Sequence, residues 1–136
     1  MNIIITLDDN NGMLFNNRRQ TRDAIVNQRI LELTPSRPLL INNFSWQMLN
    51  FAKDKIVVTE NFLDIATTDD FCFVENKKLL PYIDKIDTIY VFKWNREYPN
   101  DFSLDIDLNK WKCTYFEEFT GSSHETIYLE KYQKTE

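Results

Sequence analysis

Apolar positions in this chain cluster in short dense runs, set apart by polar stretches, with one segment of clear helical periodicity. Asn2 to Leu7 (NIIITL) is β-branched and apolar, the mark of a buried strand. Residues 8–20 are polar, carry Asn-Asn-Gly at positions 10–12, and predict a long loop. Thr21 is placed to cap a helix reaching about Leu33, with Val26, Ile30 and Leu33 on one face at i, i+4 and i+7. The segment 34–38 (TPSRP) stops it. Residues 38–41 (PLLI) read as a second buried strand, and residues 44–50 as a short helix.

Residues 55–59 (KIVVT), 71–74 (FCFV) and 88–94 (TIYVFKW) predict three further strands. Residues 77–83 predict one or two helical turns, limited by Pro81. Residues 110–119 and 125–132 predict a terminal hairpin joined through Thr120-Gly121-Ser122-Ser123. Strands that alternate with helices early and pair late indicate an α/β fold. The expected architecture is a mostly parallel central sheet of about seven strands, a C-terminal antiparallel hairpin and about three helices. No repeat, linker or low-complexity segment divides the chain, so residues 1–136 are expected to form a single domain.

Composition narrows the function. Only Gly12 and Gly121 are glycines, where ordinary usage would give about ten. Phosphate-cradling loops need glycine for close backbone approach and for φ values that a Cβ forbids, so a nucleotide-cofactor site is not expected. The net charge of −5 argues against a nucleic-acid binder, which needs a basic face. Cys72 and Cys113 sit in separate apolar runs and read as buried reduced thiols rather than a metal or redox pair. His124 is the lone histidine, so no metal site is expected. The first apolar run is too short for a leader, and no run approaches a membrane span, so the expected setting is cytoplasmic, with no membrane partner.

The order of segments resembles dihydrofolate reductase from residue 2 to about 133. Residues 10–17 (NNGMLFNN) are similar to that family's N-N-G-I-G-x-x-N loop, and residues 38–46 (PLLINNFSW) to its P-V-I-M-G-R-x-T-W segment. Leu80-Pro81, Tyr90, Asp101 and Trp111 follow at spacings similar to its later landmarks. The resemblance implies a fold that binds NADPH and dihydrofolate and passes hydride between them. Carried over position by position, it places Val26 where the family has its catalytic carboxylate and Phe92 where it has a supporting threonine. A valine neither holds nor relays a proton. Arg19-Gln20-Thr21 stands in place of the loop sequence L-P-W. Asp23, one helical turn before Val26, is a weak substitute, and an acid there also suits the helix dipole.

On the cofactor side the resemblance sets Asn42, Asn43 and Ser45 where the family has G-R-x-T, and Glu75-Asn76 where it has a Gly-Gly turn. The phosphate-gripping arginine is thereby absent and a carboxylate faces the pyrophosphate. Lys53 replaces the arginine that holds the folate tail, losing its bidentate fork. The chain is shorter than the family between Glu60 and Asp70. An edge strand and its helix are the segments most readily lost, because the remaining ladder stays intact; in the alternative alignment FCFV is the edge strand and the Gly-Gly segment is gone.

The reading that follows is a catalytically inactive dihydrofolate-reductase-like protein, without a cofactor, acting as a protein-binding or regulatory module. Aromatic residues near the late strand (Tyr90, Phe92, Trp94, Tyr98, Phe102) are candidate contacts, and richness in Asn, Ile and Lys suits an AT-rich phage or mobile element. Two alternatives stand beside it. One is a sensor of a pterin- or nucleotide-like small molecule in a pocket lined by Val26, Ile30, Leu49 and Lys53. The other is a divergent NADPH-dependent reductase that uses Asp23.

Overall fold

The run Asn2–Leu7 becomes strand β1 at the centre of the molecule, with Ile3, Ile4, Ile5 and Leu7 all 0 % exposed. A strand apolar on both faces needs cover on both, as a parallel sheet between two layers provides. The computed structural model describes residues 1–34 and 36–135. After β1 come β2 (Gly12–Phe15), β3 (Arg18–Arg19), α1 (Ala24–Glu32), β4 (Leu39–Ile41), α2 (Asn43–Leu49), β5 (Ile56–Val58) and α3 (Phe62–Ile65). Then follow β6 (Phe71–Phe73), β7 (Thr88–Lys93), β8 (Phe102–Ser103), β9 (Trp111–Phe119) and β10 (Ile127–Lys134). Short 3-10 turns occupy Lys53–Lys55, Leu80–Lys85 and Leu108–Lys110.

The main sheet has seven strands in the order β5-β4-β6-β1-β7-β10-β9. Its first five strands run parallel, and β10 lies antiparallel to both β7 and β9. This is the α/β architecture expected from the sequence. FCFV is a central strand, paired with β4 on one side and β1 on the other.

Residues 8–20 are not simply a loop. They contain β2 and β3, a hairpin whose two-residue turn is Asn16-Asn17 at φ 51° and 60°, and β8 extends it to a three-stranded sheet. Positive φ at both turn residues matches the twist that a tight hairpin needs. Asn11 and Asn95 take the same left-handed conformation, while neither glycine does. Asparagine supplies the handedness here. The two glycines supply room: a Cβ on Gly12 would stand 2.7 Å from Asn100 Cβ.

One apolar layer packs α1 and α2 on the sheet through Val26, Ile30, Leu49, Phe73 and Phe92. The other packs α3 and the Leu80–Lys85 turn on it through Ile5, Phe62, Leu79 and Val91. Of the late aromatics, Phe92 and Trp94 are buried in the first layer, and Tyr90, Tyr98 and Phe102 are half-buried. Cys72 is buried as expected, and burial pushes its thiol up to about 12. Cys113, expected buried, is exposed instead, because β9 is an edge strand whose middle has little cover on either face. Among the described residues, no helix is long and apolar enough to cross a membrane.

Candidate functional site

In an open parallel sheet, ligands bind in the crevice beyond the carboxyl ends of the strands. Here that crevice lies where β4 hands over to α2 and β6 to residues 74–76. Asn42 caps α2, its Oδ1 accepting from the Ser45 amide at 3.3 Å, and its Nδ2 donates to Asn76 Oδ1 at 2.8 Å. Ser45 Oγ donates to Glu75 Oε2 at 2.8 Å. Arg19 reaches in from β3 and forks onto the same carboxylate, Nε to Oε1 at 2.8 Å and a terminal nitrogen to Oε2 at 2.9 Å. That nitrogen also donates to the Phe44 carbonyl at 3.0 Å, and the guanidinium sits 4.7 Å over the Phe44 ring. The exposed Asn43 gives its amide to Glu60.

These contacts bring together Asn42, Ser45, Glu75 and Asn76, which the resemblance had set at cofactor positions, and add Arg19, which sequence reasoning did not place there. The result is a closed network. Glu75 is 5 % exposed and has its guanidinium partner in place. The Asn43 and Ser45 amides at the start of α2 already have side-chain acceptors, Glu60 and Asn42. A pyrophosphate placed here would meet a buried carboxylate whose arginine is already paired with it.

Val26 and Phe92 are both 0 % exposed, with Phe92 edge-on to Phe119 at 6.2 Å. Ile30 and Leu49 are sealed in the same layer, whereas Lys53 stands in an exposed 3-10 turn. The four residues expected to line a pocket therefore do not share an open one. Apolar side chains fill the space between α1 and the sheet.

Asp23, not Thr21, caps α1, and its carboxylate does far more than cap. Oδ1 accepts from the amides of Ile25, Val26 and Ser122. Oδ2 accepts from the amide and hydroxyl of Ser123 and lies 3.1 Å from His124 Nδ1. Burial alone would push the acid up. The amides of Ser123 and Ser122, His124 and the amide of Val26 outweigh it and hold the group far below the usual carboxylate range.

An ionised carboxylate only accepts, so Nδ1 carries a proton, and Nε2 lies 3.1 Å from the Tyr98 hydroxyl. Thr21 Oγ1 lies 3.4 Å from that same nitrogen, and Trp94 stacks on the imidazole with centroids 4.8 Å apart. The set contains serine, histidine and aspartate without forming a hydrolytic triad. Ser123 Oγ and Asp23 share the Nδ1 side of the ring, whereas a nucleophile must face the opposite nitrogen. The cluster is a clasp tying the start of α1 to the β9–β10 connection. Its sequence signal was Gly-Ser-Ser-His in a predicted turn, with no local indication of the acid it binds.

No protein-family model matches the chain. No curated protein sequence matches it either. Among solved structures, a dihydrofolate reductase from Enterococcus faecalis complexed with NADP(H) and RAB-propyl superposes with a TM-score of 0.71. The match covers 99 % of this chain and 96 % of that one at 12 % identity. At such identity the likeness is one of fold, and the fold is that of dihydrofolate reductase.

Proposed function

We propose that this chain keeps the dihydrofolate reductase fold, has lost hydride transfer, and works as a protein-binding module. The network of Arg19, Glu75 and Ser45 across the crevice carries this reading. Opening it for NADPH would strip a buried carboxylate of its partner, at a cost of about 3–5 kcal/mol for pairs of this kind. The reading also draws on Val26, which offers no proton at the position where the resembled family has its carboxylate. Asp23 is no replacement, since both its oxygens are saturated by the chain's own donors.

The protein-binding half rests on β9. Tyr115 is 49 % and Phe116 57 % exposed on an edge strand, and Phe116 stacks on Tyr128 at 5.4 Å. Exposed aromatics are favoured anchors in interfaces, and an edge offers unpaired backbone groups. Two unpaired cysteines suit a reducing, cytoplasmic setting, and the Asn-, Ile- and Lys-rich composition suits a phage or mobile element.

Thermal unfolding with saturating NADPH, alongside NADPH oxidation in the presence of dihydrofolate, tests the first half. The expected result is an unchanged midpoint and no oxidation. A ligand at 100 times its Kd adds about 2.7 kcal/mol, so a rise of several degrees overturns the reading. For the second half, a photo-cross-linking residue at position 115 should trap a discrete partner that the same residue at position 53 does not.

A further inference from the structure

A groove of about 480 Å³ lies between the β2–β3 hairpin and the segment after β7, apart from the crevice described above. Phe15, 41 % exposed, and the rings of Tyr98 and Pro99 line it. Tyr98 is pinned at both ends, its amide donating to Asp8 Oδ2 at 3.1 Å and its hydroxyl lying 3.1 Å from His124 Nε2. An aromatic wall held in this way can receive a planar ligand with little further loss of side-chain freedom.

Two polar groups on the same groove lack partners. Arg18 has no carboxylate within ion-pair distance among the described residues, although its neighbour Arg19 is fully committed to Glu75. The carboxylates close by are occupied: Asp8 holds the amides of Asn10, Gly12 and Tyr98 and the side chain of Gln20, and Asp101 holds the amide of Asn16. Gln20 donates Nε2 to Asp8 at 3.0 Å and to the Pro99 carbonyl at 3.3 Å. Its Oε1 is the one buried side-chain nitrogen or oxygen without a partner among the described residues. Turning the amide over would set oxygen against two acceptors, so the orientation is fixed.

From this set we propose that the groove binds a nucleoside monophosphate. The phosphate pairs with Arg18, and the base lies against Phe15 and Tyr98. A free guanidinium selects an oxyanion, and aromatic walls select a planar ring. The volume falls in the range of small-ligand sites, about 300–1,000 Å³. Arg19 stands between this groove and the crevice, with its guanidinium turned to Glu75. The proposal therefore does not depend on whether NADPH can enter there.

Calorimetric titration of the intact protein at low salt, with AMP, CMP, GMP and UMP, each parent nucleoside and inorganic phosphate, tests it. At least one monophosphate should bind about tenfold tighter than either its nucleoside or phosphate alone, since both parts contribute. Arg18→Gln and Phe15→Ala should each weaken it about tenfold or more, while Lys53→Gln leaves it unchanged. Both test positions are exposed, and an unaltered unfolding midpoint confirms that each variant is folded. Absence of binding by all four at millimolar concentration overturns the proposal, as does undiminished affinity in folded Arg18→Gln.

Discussion

The Asp23 carboxylate gathers donors from two stretches of chain about a hundred residues apart, and Gly121 leaves it the space to do so. A methyl group on Gly121 would press on the Asp23 carboxyl group and stand 2.6 Å from Ile127 Cδ1. Neither can yield, since one is fixed by its hydrogen bonds and the other is fully buried. Gly121→Ala is expected to lose about 1–3 kcal/mol, the usual cost of overpacking, measured by urea unfolding. The loss should shrink in an Asp23→Ala background, because one of the two clashes is removed, but not vanish, because the contact with Ile127 remains. Independent, additive losses would show that the contact is not what restricts position 121.

At the scale of elements, the β2–β3 hairpin depends on two left-handed asparagines. Asn17→Gly is expected to leave stability unchanged or slightly raised, whereas Asn17→Val should cost about 1–2 kcal/mol, because a β-branched residue resists positive φ. Equal unfolding midpoints for the two variants would contradict the turn assignment. The hairpin also marks the limit of what the chain discloses locally. Dense runs such as NIIITL and FCFV declare buried strands by themselves, so the main sheet was legible. Strands of two to four residues inside a polar stretch do not, and β2 takes its second neighbour, β8, from over eighty residues on. The candidate site divides in the same way. Asn42, Ser45, Glu75 and Asn76 were singled out through the family resemblance, and the contacts among them come from the fold. Arg19 in the crevice and His124 on Asp23 are long-range pairings that no local pattern carries. Cys113 was misplaced for a related reason: its apolar neighbours suggest a core strand, but burial depends on which strand stands at the edge.

For the molecule as a whole, acid is the perturbant to which the fold should respond most. Asp23 is held far below the ordinary carboxylate range. Asp70 is lowered too, its burial outweighed by the Thr67 amide and Arg37, and Glu117 is lowered by Arg29. A carboxylate with a depressed folded pKa stabilises the protein above its unfolded value, about 4, and that stability drains away as pH falls towards the folded value. The unfolding midpoint should therefore be flat near neutrality and drop progressively below about pH 5. Asp23→Asn should start lower and fall less steeply over the same range. An equally steep fall in the variant would move the source of acid lability elsewhere.

The position of β10 has a kinetic consequence. It is made after β9 yet lies between β9 and β7, so the order of synthesis is not the order of assembly. β9 cannot join the sheet when it emerges, because its only neighbour does not yet exist. Closing the centre also joins residues 2–7 to residues 88–93, a pairing of long sequence separation, and topologies of this kind fold slowly. Until β10 docks on β7, the nascent chain carries two bare strand edges and the aromatics of β9 with them. That interval, rather than the finished fold, is when this sequence is most exposed to mispairing.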